Sequence, residues 1–454
     1  MSTLERERTP APGAIRPMVF PRIERRRLEN GVAVLTAPHG DLPIVTVELV
    51  LDVGAAGDPA RKAGLAYLVA NALETGTRDR TADQIAWEME RLGVELESEA
   101  SWDATAVRIT VPRERLEPAL ALFADLIRHP SFPEAEVDRL RDEQLATLLQ
   151  RQKEPRALAN DMAAHFIFAA DVPYARPLIG TTASVEQLTR DDVSAFHQTH
   201  YLPNAASLLF VGAIDAEHAA SLADCYFGTW PAGQPQAAEF EVIPGVETRT
   251  VFVVDRPGAV QSEIRIGDVG VAREHQDYFP LLVMNTILGG AFTSRLNMSL
   301  RERHGFTYGA RSGFAFRRRP GPFVVQTAVA TEVTARAVEE AIKEMAALRE
   351  EGATEQEVSN ARDYLRGILP LELQTTDQLA SRLADLVIFH LPDDYFQQYR
   401  DRIAAVTPED VLRVAREHLR LDRLAIVVVG DATQIEAPLV ALGLGEVRVH
   451  RGEE

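Results

Sequence analysis

A chain of 454 residues with 46% hydrophobic and 25% charged residues has ordinary globular composition and is long enough for about two to four packed cores. Its 67 Asp and Glu outnumber 48 Lys and Arg, a net charge of −19, which opposes nucleic acid or an anionic membrane as partner and serves solubility. The one cysteine, Cys225, excludes an internal disulfide and a multi-cysteine metal centre; in Leu222-Ala-Asp-Cys-Tyr-Phe227 it reads as a small core hydrophobe. The first ten residues lack the apolar core of an export signal, and no run reaches membrane-spanning length, so a cytoplasmic location is expected.

Residues 1–20, rich in proline and charge, read as a flexible arm. A first domain is expected over 21–229. Strands begin at Val32 and Val34 after the Asn30-Gly31 turn, alternate over Val45, Val47, Leu49 and Leu51, and recur from Thr105 to Val111 and from Ser207 to Val211. Helices are expected from about Ala63, from Leu116 to Ile127, and after Pro133, where Glu134 and Glu136 suit the positive end of the helix dipole. Residues 230–247, with Pro231, Gly233, Pro235, Pro244 and Gly245, read as a linker.

The order then repeats over 248–447. Val251–Val254, Ser262–Ile266 and Phe323–Val329 read as strands, Phe279–Leu288 and the stretch carrying Val338, Ile342, Met345 and Leu348 as helices. Val53-Gly54 pairs with Val269-Gly270, Glu136-Val137 with Glu357-Val358, Leu188-Thr-Arg-Asp-Asp-Val193 with Val406-Thr-Pro-Glu-Asp-Val411, and Val211-Gly212 with Val429-Gly430. The displacements are 216, 221, 218 and 218 residues, too regular for chance and too long for a solenoid. Two homologous α+β domains follow, each a largely antiparallel sheet with helices packed on one face.

One stretch of the second domain carries chemistry. After Leu288-Gly-Gly-Ala-Phe-Thr-Ser-Arg-Leu296, a short helix presenting Leu296 and Leu300 on one side is expected to place Arg301 near its end. Gly305 can close that helix in a left-handed conformation, and a strand is expected from Phe306. Arg301 and Tyr308 would then converge beside a sheet edge, where a guanidinium and a phenol suit a peptide carbonyl gaining negative charge. The plain alternative is a surface arginine and a half-buried tyrosine. Gly289, Gly290 and Phe292 either shape an entrance or serve only the turn.

Gly-Gly, Ser-Arg-Leu, Leu-Arg-Glu and the seven-residue Arg-to-Tyr spacing resemble the C-terminal domain of the M16 peptidases, the inverzincin group that includes the pitrilysins and the mitochondrial processing peptidase. Asp171-Val-Pro-Tyr-Ala-Arg-Pro-Leu-Ile-Gly-Thr181, His200-Tyr-Leu-Pro-Asn204, Phe210-Val-Gly-Ala-Ile-Asp215 and Arg256-Pro-Gly-Ala-Val-Gln261 extend the resemblance over almost the whole chain. The family binds zinc through His-x-x-Glu-His and a later glutamate. Here the five motif positions, placed by Gly64-Leu-Ala before and Gly76-Thr77 after, read Tyr67, Leu68, Val69, Ala70 and Asn71, and the later ligand position falls at Thr147. None of these supplies a good ligand or a general base, and Glu74 nearby makes no site alone.

Elsewhere, His197 and His200 stand three apart on an expected helix but lack an acidic or thiol companion, and His165 and His304 read as structural. Gly289-Gly290 lacks the Lys-Ser or Lys-Thr of a phosphate loop, and no serine or cysteine triad is evident. The resemblance implies the zinc-free subunit of a heterodimeric metallopeptidase. Such a subunit binds no cofactor itself, pairs with a homologous zinc-bearing subunit, and offers Arg301 and Tyr308 to an extended peptide. The alternative is a proteolytically silent structural or peptide-binding relative.

Overall fold

The computed structural model describes Gly13, residues 18–40 and residues 42–451. Most of the expected N-terminal arm lies outside the described residues. Its last residue is no free tail: Phe20 is buried, and its ring stacks on Phe396 of the second half with centroids 5.3 Å apart.

Each half contributes one six-stranded sheet. The first comprises β1 (Glu24–Arg27), β2 (Ala33–Pro38), β3 (Ile44–Leu51), β4 (Glu97–Ala100), β5 (Thr105–Pro112) and β6 (Ala206–Gly212), in spatial order β1-β2-β6-β3-β5-β4. The second comprises β7 (Thr250–Asp255), β8 (Gln261–Val269), β9 (Ala310–Phe314), β10 (Pro322–Ala330), β11 (Ala425–Gly430) and β12 (Glu446–His450), in order β12-β7-β11-β8-β10-β9. Antiparallel pairing dominates, as expected; the parallel pairs are β2 with β6, and β7 with both β11 and β12. Each sheet is therefore mixed. The chain reaches the strand that closes each half only after its long helical excursion, so that strand runs parallel to the first long strand of its sheet.

On one face each sheet packs against helices of its own half. Val45, Val47, Leu49 and Leu51 point into a core with Leu68, Leu120 and Phe123, and Ile264 and Ile266 point into one with Val338, Ala341 and Met345. The opposite faces are covered by helices from the other half. Helix Pro155–Ile167, from the first half, lies on β8 and β11; helix Thr376–Ile388, from the second, lies on β3 and β6. The two stand 221 residues apart, the displacement that relates Glu136 to Glu357, so the exchange belongs to the repeat itself.

Local sequence starts both helices. Pro155 occupies a first-turn position while the Glu154 carboxylate accepts the Arg156 N–H at 3.0 Å, and Thr375 and Gln378 form a reciprocal capping box. Polar pins fix their placement. The Thr46 hydroxyl bonds to that of Thr376 at 2.7 Å, and Arg108 reaches Ser381 at 2.8 Å while pairing with buried Glu48 at 3.1 Å. Across the other interface Arg265, almost fully buried, donates to Asn160 at 2.7 Å and to Glu263 at 2.9 Å, and Phe166 stacks on Phe252 at 3.8 Å.

This exchange predicts one cooperative unfolding transition for both halves. Leu383→Ala, in the middle of the helix lent to the first sheet, should cost about 2–5 kcal/mol and move the whole transition together. Chemical denaturation followed by tryptophan fluorescence and circular dichroism checks this; two separable transitions with one displaced would contradict it.

Candidate active site

Helix Tyr278–Asn285 runs into a widened turn, Thr286–Gly290, closed by the Ala291 N–H on the Thr286 carbonyl at 3.2 Å. A second helical piece, Arg295–Asn297, continues as another widened turn, Met298–Arg303, in which Leu296 and Leu300 are fully buried. Such five-residue turns are uncommon and concentrate at functional sites. Gly305 then reverses the chain with φ 63°, and the Phe306 N–H bonds to the Leu300 carbonyl at 2.8 Å. The strand expected from Phe306 begins only at Ala310. Residues 306–309 are instead held by Thr307, whose hydroxyl donates to the Gly309 carbonyl at 3.0 Å, and by Asn297, whose side chain accepts the Ala310 N–H at 3.2 Å.

Gly289 has a packing role. A Cβ there would lie 2.4 Å from the backbone nitrogen and hydroxyl of Ser312, so only glycine lets the turn cover that part of β9. Gly289 and Gly290 also line a cavity between the two halves. Phe292 is 69% exposed, and the Arg301 guanidinium lies over its ring at 4.6 Å, with the Glu302 carboxylate 3.5 Å away. Arg301 is half-buried. Tyr308 is 98% exposed and makes no hydrogen bond or ring contact among the described residues. The fold thus joins Arg301 to Phe292 and leaves Tyr308 projecting from the same loop.

In the sequence Arg295 stands out only as part of Ser-Arg-Leu, yet it anchors the segment. Its guanidinium binds both oxygens of Glu357, at 2.7 and 2.9 Å, and the Gly352 carbonyl at 2.9 Å, tying the start of the arginine-bearing turn to helix Glu355–Ile368.

The degenerate ligand positions lie on helix Leu65–Ala72, whose start is capped by the buried Asp58 carboxylate accepting the N–H groups of Gly64, Leu65 and Ala66 at 2.8–3.1 Å. Leu68, Val69 and Ala70 are core residues, and the Asn71 amide donates back to the Tyr67 carbonyl at 2.8 Å. Thr147, exposed on helix Glu134–Lys153, donates its hydroxyl to the Glu143 carbonyl at 2.9 Å. This set of hydrocarbon, self-bonded amide and self-bonded hydroxyl does not fit zinc. Glu74 lies exposed beyond the helix.

The histidines diverge. His197 is buried, its Nε2 donating to the Ile127 carbonyl at 2.7 Å, and burial pushes it down to about 4. His200 packs on Phe196, His165 on Phe166, and His304 stacks on Phe306 beside Glu340. A cluster not foreseen brings His275, Asp277 and His418 within 4.8 Å of one another; the distance in sequence hides it. Arg413 donates to Asp277 at 2.7 Å, holding that carboxyl below its usual range and tying the start of helix Tyr278–Asn285 to helix Pro408–His418. Cys225, expected in the core, is exposed instead, because it sits on the outer side of helix Ala216–Phe227.

Residues 34–182 match the family described as Insulinase (Peptidase family M16), and residues 187–365 match the Peptidase M16 inactive domain. The chain is 26% identical over 405 residues to an uncharacterized zinc protease of Streptomyces coelicolor, covering 87% of each. It is 25% identical over 432 residues to a probable mitochondrial-processing peptidase subunit beta of Schizosaccharomyces pombe, covering 91% of this chain and 92% of that one. In fold it is similar to the crystal structure of a peptidase M16 inactive domain from Pseudomonas fluorescens, with TM-score 0.85, 25% identity and coverage of 90% of this chain and 98% of that one. A protease from Helicobacter pylori shares the fold, with TM-score 0.83 at 20% identity over 90% of this chain and 99% of that one. Among the described residues no helix is long and apolar enough to cross a membrane.

The Arg295 clamp has a pH signature. Its hydrogen bonds hold Glu357 at about 2, below the ordinary 4.5, so its stabilising effect is complete above about pH 4.5 and is lost as pH falls toward 2. Glu357→Gln should therefore lower the urea midpoint at pH 6 and flatten its decline between pH 4.5 and 2. Parallel pH profiles for the two proteins would refute the clamp.

Proposed function

Because the chain belongs to the M16 peptidase family, we propose that it is a zinc-free subunit that works with a homologous zinc-bearing subunit, to which it presents Arg301 and Tyr308. The observation that carries this reading is Tyr308. A tyrosine 98% exposed on a loop whose backbone is pinned on both sides forgoes the burial of an aromatic ring, on the order of 1.5–3 kcal/mol. Such a side chain suits an interface completed by another molecule. Arg301, steadied over Phe292, offers a planar fork of donors from the same loop.

In the assembled pair the partner's metal and base would activate water. This chain would hold the peptide backbone through Arg301 and donate from Arg301 and the Tyr308 phenol to the oxygen that gains charge on attack. Gly289, Gly290 and Phe292 would border the approach. The substrate is an extended peptide or unfolded segment, and the pair works in the cytoplasm.

Tyr308→Phe and Arg301→Ala should each lower turnover of a fluorogenic peptide by the reconstituted pair about a hundredfold to a thousandfold. Their melting temperatures should match the parent, since neither side chain is in a core. Normal turnover in both variants would end the proposal. Failure of the chain to accelerate any zinc-bearing homologue would favour the silent structural alternative.

A further inference from the structure

A cavity of about 650 Å³ separates helix Pro155–Ile167 and residues 176–179 of the first half from β9, the start of β10 and Gly289-Gly290 of the second. In its wall stands Arg317, only 8% exposed. The guanidinium is sandwiched between rings, 3.7 Å from the centroid of Trp102 and 4.3 Å from that of Tyr174. Stacking engages its two faces and leaves the rim of N–H donors unmatched. Its Nη1 is buried with no hydrogen-bond partner among the described residues. The Asp103 carboxylate, which attracts it, is already committed: one oxygen accepts the Tyr174 hydroxyl at 2.6 Å and the other the Arg318 N–H at 2.9 Å.

Two of the other cavity arginines are matched within the protein. Arg265 is matched by Glu263, Asn160 and the Ile264 carbonyl, and Arg151 forms two bonds to Asp161, the one acid in the lining among the described residues. Arg176 and Arg311 complete the set. Arg176 feels Asp58 electrostatically, but neither guanidinium is hydrogen-bonded to a described residue. After the internal pairs are removed, three cations remain around one cavity in a chain of net charge −19. A buried, hydrogen-bond-poor guanidinium is costly unless something pairs with it.

We infer that this cavity receives a carboxylate of an extended peptide, paired with the rim of Arg317 and approached past Arg176 and Arg311. This deepens the peptide-handling reading above and rests on it. A guanidinium fixed by two rings presents a planar edge that matches a planar carboxylate in two parallel bonds. The side-chain-free surface at Gly289, Gly290 and Gly313 leaves room for a peptide backbone beside it. The carboxylate is either a chain terminus or an acidic side chain.

Calorimetric titration of the intact chain tests this with four N-acetylated alanine pentapeptides: the free acid, its C-terminal amide, the amide with a central Glu, and the amide with a central Gln. Binding of the free acid alone assigns the terminus, binding of the Glu amide alone assigns the side chain, and binding of both assigns any peptide carboxylate. Equal behaviour of charged and neutral probes overturns the inference. Arg317→Gln should weaken the bound probe by about tenfold or more while leaving the melting temperature unchanged or raised, because it removes an unpaired buried charge. A purely structural Arg317 would lower the melting temperature and leave affinity alone. Should Arg317→Gln fail to fold, Arg311→Gln, at an exposed position, should weaken binding about threefold or more; unchanged affinity there overturns the inference. The titration needs neither partner nor turnover, so its failure and that of the Arg301 and Tyr308 proposal are read separately.

Discussion

The reciprocal loan of one helix from each half to the other half's sheet is the constraint on which the rest of this structure depends. A sheet with apolar residues on both faces cannot stand in water with one face bare, and here neither half covers its own second face. Leu35, Val50, Leu209 and Val211 of the first sheet belong to the same core as Leu379 and Leu383, and Phe252 and Val427 of the second belong with Ala163 and Phe166. The polar pins between Thr46 and Thr376, and between Arg265 and Asn160, make the exchange specific in register.

That arrangement also creates the cavity. Helix Pro155–Ile167 must leave the first half to reach β8 and β11, and the space beside it is closed by β9, β10 and the Gly289-Gly290 turn. The hairpin between β9 and β10 carries three successive arginines that point to different partners. Arg317 lies between the Trp102 and Tyr174 rings, Arg318 binds Asp52 and the Ile388 carbonyl, and Arg319 stands over Phe240 of the linker. The linker, which composition describes as a passive spacer, therefore packs against the residues that hold Arg317; Phe240 also meets Tyr174 edge-on at 5.0 Å.

What the sequence made legible follows from how local each signal is. The alternation from Val45 to Leu51 defines β3 because one face meets a helix layer, and the near-constant displacement between halves reveals the duplication. Three edge strands carry a weak signal or none. Glu24–Arg27 is an all-exposed edge of charged residues, and Glu97–Ala100 and Glu446–His450 are short and polar, as edges that resist further pairing tend to be. Pro155 marks the start of a helix, but no periodicity says which sheet the helix will cover. The pattern around Gly305 led to the expectation that Arg301 and Tyr308 converge, but the widened turn sets Arg301 over Phe292 and leaves Tyr308 in solvent, a detail of backbone geometry that local sequence does not encode. Arg317 is invisible in the sequence because residues 102, 174 and 317 meet only in the folded chain.

The two halves show how a duplicated scaffold separates stability from chemistry. At the corresponding place in each half, a helix follows the second long strand: Leu65–Ala72 after β3 and Tyr278–Asn285 after β8. In the first half the five motif positions read Tyr67, Leu68, Val69, Ala70 and Asn71, and the middle three of them are packed in the core. In the second half the helix instead opens into two widened turns that hold Arg301 half-exposed and Tyr308 in solvent, positions that no packing requirement explains. Since the sheets are held by the exchanged helices, neither site is needed to keep the halves together. Either place can therefore vary in sequence without loosening the sheets.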